Sequence, residues 1–162
     1  MPVIPLIDSH DKVEIYDHIE EQLEKLVHEE TDFVANLANF SSLLGLLLED
    51  INWAGFYLLK EDELVLGPFY GKPAVSRIAI GDGVCGSAIK NETNYVVPKV
   101  CDFPGHITCD IVSQSEIVIR VFNEDNLLGV LDIDSPSLNR FDSVDEERLT
   151  RLLDILVNAS VI

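Results

Sequence analysis

Cys109 stands in the run Phe103-Pro104-Gly105-His106-Ile107-Thr108-Cys109-Asp110, between two stretches that read as strands. Proline and glycine fix the backbone of such a loop, and loops held on a rigid sheet are where catalytic groups tend to sit. By type alone, a cysteine reads first as a small buried core residue. His106 is near enough in sequence to lower its thiol pKa, although sequence neighbours need not touch. Cys85 lies in Gly81-Asp82-Gly83-Val84-Cys85-Gly86, whose three glycines mark a tight turn. Backbone N–H groups converging at such a turn would stabilise a thiolate or a ligand carboxylate, though an ordinary turn carries the same letters. Gly81, Gly83 and Gly86 also match the dinucleotide fingerprint, but no βαβ pattern surrounds them, so no dinucleotide site is expected. Cys85, Cys101, Cys109 and His106 lack the paired CxxC spacing of a zinc site, so no metal is expected either.

Three acids could complete a site. Asp132 and Asp134 are two apart on a strand-like run and so point to one face, with Leu128 and Val130 before them. The strand turns acidic at its end, either because it runs out into solvent or because a cationic partner relieves the repulsion there. Glu116 interrupts an apolar run, Ile117-Val118-Ile119, and belongs either to the solvent face or to a site. Trp53 and Tyr57, four apart, share a face. Aromatics on a strand are most often core, yet an aromatic wall beside carboxylates is also an amino-acid pocket: acids for the ammonium, rings for an apolar or sulfur-bearing side chain.

The elements that must position these residues are legible as a pattern. Residues 10–29 place Tyr16, Ile19, Leu23 and Leu26 at helical spacing, and a second helix runs from an Asp32 cap to about residue 48, its last part apolar nearly all round. Strands are expected at 53–59 and 64–69 around a polar turn, more weakly at 77–80 and 95–97, and strongly at 115–122 and 127–134 around the turn 123–126. A short helix starts near Cys85, and a last helix follows a capping box read at Ser143-Val144-Asp145-Glu146. The expected fold is α+β: one antiparallel six-stranded sheet with the N- and C-terminal helices packed on one face. It forms a single domain over 1–162, divided into a helical segment 10–48, a sheet core 52–134 and a terminal helix 143–160.

Composition limits the functions open to this fold. The 162 residues carry 29 acids against 11 bases, a net charge of -18. Nucleic acids and anionic membranes would repel such a surface. The acids concentrate at the helical ends, with 12 in residues 1–50 and 12 in 101–162, as solvated helix faces do. Apolar runs are too short to span a membrane and no secretory signal is read, so three free thiols in a reducing cytoplasm are expected.

Taken together and in order, Asn52-Trp53-Ala54-Gly55-Phe56-Tyr57, Leu66-Gly67-Pro68-Phe69, Gly83-Val84-Cys85-Gly86, Pro104-Gly105-His106-Ile107-Thr108-Cys109-Asp110, Ser115-Glu116-Ile117-Val118 and Gly129-Val130-Leu131-Asp132-Ile133-Asp134-Ser135 resemble the free methionine-(R)-sulfoxide reductases, stand-alone GAF-domain enzymes. The resemblance implies a GAF-like fold and a cofactor-independent reduction of free methionine-(R)-sulfoxide through a sulfenic acid. It implies thioredoxin or a similar dithiol as reductant, a homodimer, and a place in oxidative-stress defence. By the same resemblance Cys109 is the catalytic cysteine and Cys85 the second family cysteine. Trp53 and Tyr57 form the aromatic cage, and Glu116, Asp132 and Asp134 bind the amino group and the sulfoxide, with Glu116 or Asp134 as proton donor. The chain departs from the family at Val75, where the loop Gly71-Lys72-Pro73-Ala74-Val75 lacks a third, often resolving, cysteine. Resolution therefore falls to Cys85, to Cys101, or to an external thiol. The competing expectation is a GAF module that binds a small ligand or senses redox state without catalysis.

One requirement is independent of the resemblance. A four-residue turn at 123–126 would set Glu116 opposite Ile133, pointing away from both aspartates. A turn of odd length, or an equivalent bulge, brings the three carboxylates to one face, and that is the expected arrangement.

Overall fold

The structure, a computed structural model, describes residues 3–105 and 111–162. Its sheet runs in the order β3-β2-β1-β6-β5-β4, with β1 (Trp53–Lys60), β2 (Glu63–Gly71), β3 (Arg77–Ala79), β4 (Tyr95–Val97), β5 (Ser115–Asn123) and β6 (Asn126–Ser135). Every neighbouring pair is antiparallel. Three helices, α1 (Lys12–Val27), α2 (Phe33–Leu47) and α4 (Ser143–Asn158), cover one face, and α3 (Gly83–Lys90) lies on the other.

The division follows strand alternation. Ala54, Phe56, Ile117, Ile119, Val121, Leu131 and Ile133 enter the core under α1, α2 and α4. Trp53, Tyr57, Val118 and Val130 enter the smaller core under α3, with Val84, Ala88 and Ile89 of that helix. The terminal helices thus share one face, as expected. Of the apolar end of α2, Leu43, Leu44 and Leu47 are buried, whereas Leu46 is exposed, because the helix presents only one side to the sheet.

Helix starts follow side-chain caps. Asp11 accepts from the N–H groups of Val13 and Glu14, and Asp32 from that of Ala35. The α4 capping box sits one residue earlier than expected, with Asp142 as the cap and Asp145 reciprocating. Asp145 is buried and accepts from Tyr16 Oη (2.8 Å), Lys12 Nζ (2.6 Å) and Arg140 (3.2 Å), so the ties from α1 and Arg140 fix the box around it.

Between β5 and β6 the turn is tighter than expected. Asn123 faces Asn126 across only Glu124 and Asp125, and Phe122 faces Leu127. Val121 then faces Gly129, so Leu128 is an extra residue. Beyond this bulge Ile119 faces Leu131, Val118 faces Asp132 and Glu116 faces Asp134. The required parity shift therefore comes from a bulge, not from turn length. The bulge also moves Leu128 off the face expected for it: it packs against the helix-side core, while Val130 keeps the face of Asp132. Gly129 has φ +150°, and a Cβ there would lie 2.1 Å from the Tyr57 carbonyl oxygen. Gly129→Ala should therefore lower the folding free energy by about 2–3 kcal/mol. Denaturant midpoints check this, and an unchanged midpoint would show that β6 pairs without the bulge.

Candidate active site

Register builds the site row by row. Trp53 of β1 faces Asp134 of β6, which faces Glu116 of β5, which faces Val97 of β4. In the next row Gly55 faces Asp132, which faces Val118, which faces Tyr95. Side chains opposed in a sheet share a face, so the three carboxylates and Trp53 converge on the side covered by α3. Glu116, Asp132 and Asp134 are each only 5% exposed, which excludes a strand simply running into solvent.

The first turn of α3 adds Cys85, also buried. Its Sγ and one carboxylate oxygen each from Glu116 and Asp132 all lie within 4.8 Å of one another. Burial pushes the Glu116 carboxyl well above the usual range and the charge of Asp134 adds to this, while a hydrogen bond with Asp132 acts the other way. Burial likewise raises Asp132, helped by the charge of Glu116. Asp132 Oδ1 is buried without a hydrogen-bond partner among the described residues.

The environment of Cys85 differs from the sequence reading. Burial raises its thiol pKa most, followed by the charges of Asp132 and Glu116, and its S–H is hydrogen-bonded to Asp132. Two glycine N–H groups of the turn are already engaged within it. Gly81 N–H donates to the Gly86 carbonyl (2.8 Å) and Gly86 N–H to the Asp82 carbonyl (2.9 Å). The acids across the sheet therefore outweigh the helix end, and Cys85 rests as a thiol.

The aromatic wall has three members. Trp53 stacks on Tyr57 (centroids 5.9 Å apart) and on Phe69 (5.4 Å), the latter a residue whose place in the wall sequence reasoning missed. Its signal was Gly55, which faces Phe69 across β1–β2. A Cβ on Gly55 would come within 2.3 Å of the Phe69 Cβ and 2.8 Å of the Trp53 ring. The wall also holds a loop: Trp53 Nε1–H donates to the Lys72 carbonyl (3.1 Å) and Tyr57 Oη–H to the Val75 carbonyl (2.9 Å).

Cys101 is exposed on a 3-10 turn, Val100–Asp102. Cys109 and His106 lie outside the described residues. The chain that flanks them is anchored. Val100 N–H donates to the Gln114 carbonyl (2.8 Å), Gln114 N–H to the Ser135 carbonyl (2.7 Å), and Asn52 Nδ2 to Ser113 Oγ (3.0 Å).

Comparison with known proteins first gives the class: the GAF domain family matches residues 22–159. The chain is 48% identical to the free methionine-R-sulfoxide reductase of Escherichia coli, over 88% of this chain and 86% of that protein. It is 42% identical to the Saccharomyces cerevisiae protein of the same name, over 93% and 88%. The crystal structure of free methionine-R-sulfoxide reductase from Neisseria meningitidis, in complex with its substrate, superposes with a TM-score of 0.92 at 42% identity, covering 98% of this chain and 95% of that one. With identity at these levels along most of its length, the chain belongs to the free methionine-R-sulfoxide reductase family of GAF-domain proteins.

The buried carboxyls predict a pH dependence. The folded-state pKa values of Glu116 and Asp132 lie above the unfolded ones, so the native state holds more protons than the unfolded chain. The stability present at acid pH is then lost as pH rises through the raised values. Glu116→Gln removes one of these groups, so the stability lost from about pH 5 to about pH 8 should be smaller in the variant than in the wild type. Denaturant midpoints across that range read the difference, and an equal loss in both proteins would remove Glu116 from the strained cluster.

Proposed function

We propose that this chain reduces free L-methionine (R)-S-oxide to L-methionine, acting as an oxidoreductase in which Cys109 is the reacting thiol. The observation that carries the reading is the convergence of Glu116, Asp132 and Asp134 on one buried face beside Trp53. Such a set matches an amino acid with a free ammonium and a sulfur-bearing side chain. A residue inside a peptide has no ammonium to offer, which accounts for a preference for the free amino acid. The ammonium pairs with Asp132, whose Oδ1 otherwise lacks a partner among the described residues, and with Asp134. Trp53, Tyr57 and Phe69 enclose the methyl sulfoxide end.

In the reaction the Cys109 thiolate attacks the sulfoxide sulfur. Glu116, kept protonated by burial and by Asp134, supplies a proton to the departing oxygen. The oxygen ends on Cys109 as a sulfenic acid, and the sulfoxide, reduced by two electrons, leaves as methionine. Cys85 then attacks the sulfenic sulfur, its proton passes by way of the hydrogen-bonded Asp132 to the departing hydroxyl, and a Cys85–Cys109 disulfide forms with loss of water. Thioredoxin or a similar dithiol reduces that disulfide. Cys101 is the second choice for resolution, since the loop position that carries the family's third cysteine is Val75. The whole chain acts as one catalytic unit, in a homodimer, in the cytoplasm, in defence against oxidative stress. Among the described residues no helix is long and apolar enough to cross a membrane.

Single-turnover assays separate the roles. Without reductant, the wild type, Cys85→Ser and Cys101→Ser should each release about one methionine per site, and Cys109→Ser none. Full first-turnover yield from Cys109→Ser would falsify the assignment of the reacting thiol, and no release from the wild type would favour a binding module. Peptide mapping of the wild type after one turnover should find Cys85 joined to Cys109. A Cys101–Cys109 bond would reverse the order of the two resolving thiols.

A further inference from the structure

We propose that Cys85, Glu116 and Asp132 form a binding site for a soft divalent cation of the Zn2+ class, distinct in chemistry from the ammonium that the same acids receive from substrate. The three ligand atoms come from three separate elements, α3, β5 and β6, and lie within 4.8 Å of one another. Closing onto an ion with a Zn–S distance of ~2.3 Å and Zn–O distances of ~2.0–2.2 Å asks for movement of roughly an ångström, within the reach of side-chain torsions. All three side chains are buried, and Asp132 also carries a buried oxygen, Oδ1, without a partner among the described residues.

The donor set decides which ion. One sulfur and two carboxylate oxygens leave a fourth tetrahedral position open, the arrangement of a three-ligand zinc site. Mg2+ and Ca2+ call for six or more oxygens and gain nothing from a thiolate, so they are excluded. Three acidic groups buried together hold their protons because anions there would be costly unless paired, and a dication supplies that pairing. On binding, the Cys85 S–H bond is exchanged for an S–Zn bond, the Glu116 and Asp132 carboxyls give up their protons for O–Zn bonds, and the released protons leave to buffer. The pattern differs from the zinc set considered from sequence, because here the partners of Cys85 are carboxylates and not the other cysteines.

The test uses the reduced full-length protein and Zn2+ alone, followed by calorimetry. About one equivalent should bind, and Mg2+ should not. Cys85→Ser and Asp132→Asn should each weaken the affinity at least about tenfold, while Cys101→Ser leaves it unchanged. Cd2+ provides a second readout, a thiolate-to-metal ultraviolet absorption that should vanish in Cys85→Ser. The proposal is overturned if Cys85→Ser keeps the wild-type affinity, or if the absorption is lost in Cys109→Ser or Cys101→Ser but not in Cys85→Ser. Competition by methionine reads the substrate assignment separately. Zinc binding that methionine leaves untouched keeps the metal site and moves the ammonium pocket elsewhere.

Discussion

The pairing of β5 with β6 passes through a single inserted residue, Leu128, and everything at the far end of the sheet depends on the parity it sets. Strand side chains alternate between faces, so one residue more or less reverses every later assignment. With the insertion, the apolar members Ile117, Ile119, Leu131 and Ile133 go under the three helices, and the acidic members Glu116, Asp132 and Asp134 go under α3. Without it, one of the two strands would bury its acids among the leucines of α2 and α4. Gly129 permits the local geometry by letting the Tyr57 carbonyl approach where a side chain would stand.

Among the described residues there are two buried acidic centres, and they are resolved in opposite ways. Asp145 is met by Lys12, Arg140 and the Tyr16 hydroxyl, a closed arrangement that ties α1 to α4 and also caps the latter. Charge neutralised by permanent partners of this kind is structural. At the other centre Glu116 and Asp132 have each other and the Cys85 thiol as neighbours, and their carboxyls hold protons instead. An acidic group kept neutral by its surroundings can give up its proton, or ionise when a cation arrives, which a saturated one cannot.

Most of this was legible in the chain itself. Helical spacing gave α1, α2 and α4, alternation gave the strong strands, and the demand that Glu116 join the aspartates required a parity shift. The device that supplies the shift was not legible, because a bulge is fixed by packing of β6 against β1 and not by the turn letters between β5 and β6. The α4 cap slid by one residue for a similar reason: Asp145 answers to α1, far away in sequence. Cys85 was misread in its electrostatics, since a glycine turn reports only its own backbone and says nothing of carboxylates on two other elements. Phe69 was overlooked because its role appears only when β2 is laid against Gly55.

Trp53 is the only tryptophan in the chain, and it is almost wholly enclosed, stacked on two other rings in the row of Asp134 and Glu116. Nature has therefore placed a single optical probe at the heart of the cluster, with no second indole to dilute its emission. The colour and intensity of its fluorescence answer to local polarity and to charge within a few ångströms. Ionisation of the neighbouring acids, arrival of an ammonium or seating of a metal would each be visible in real time, without a label.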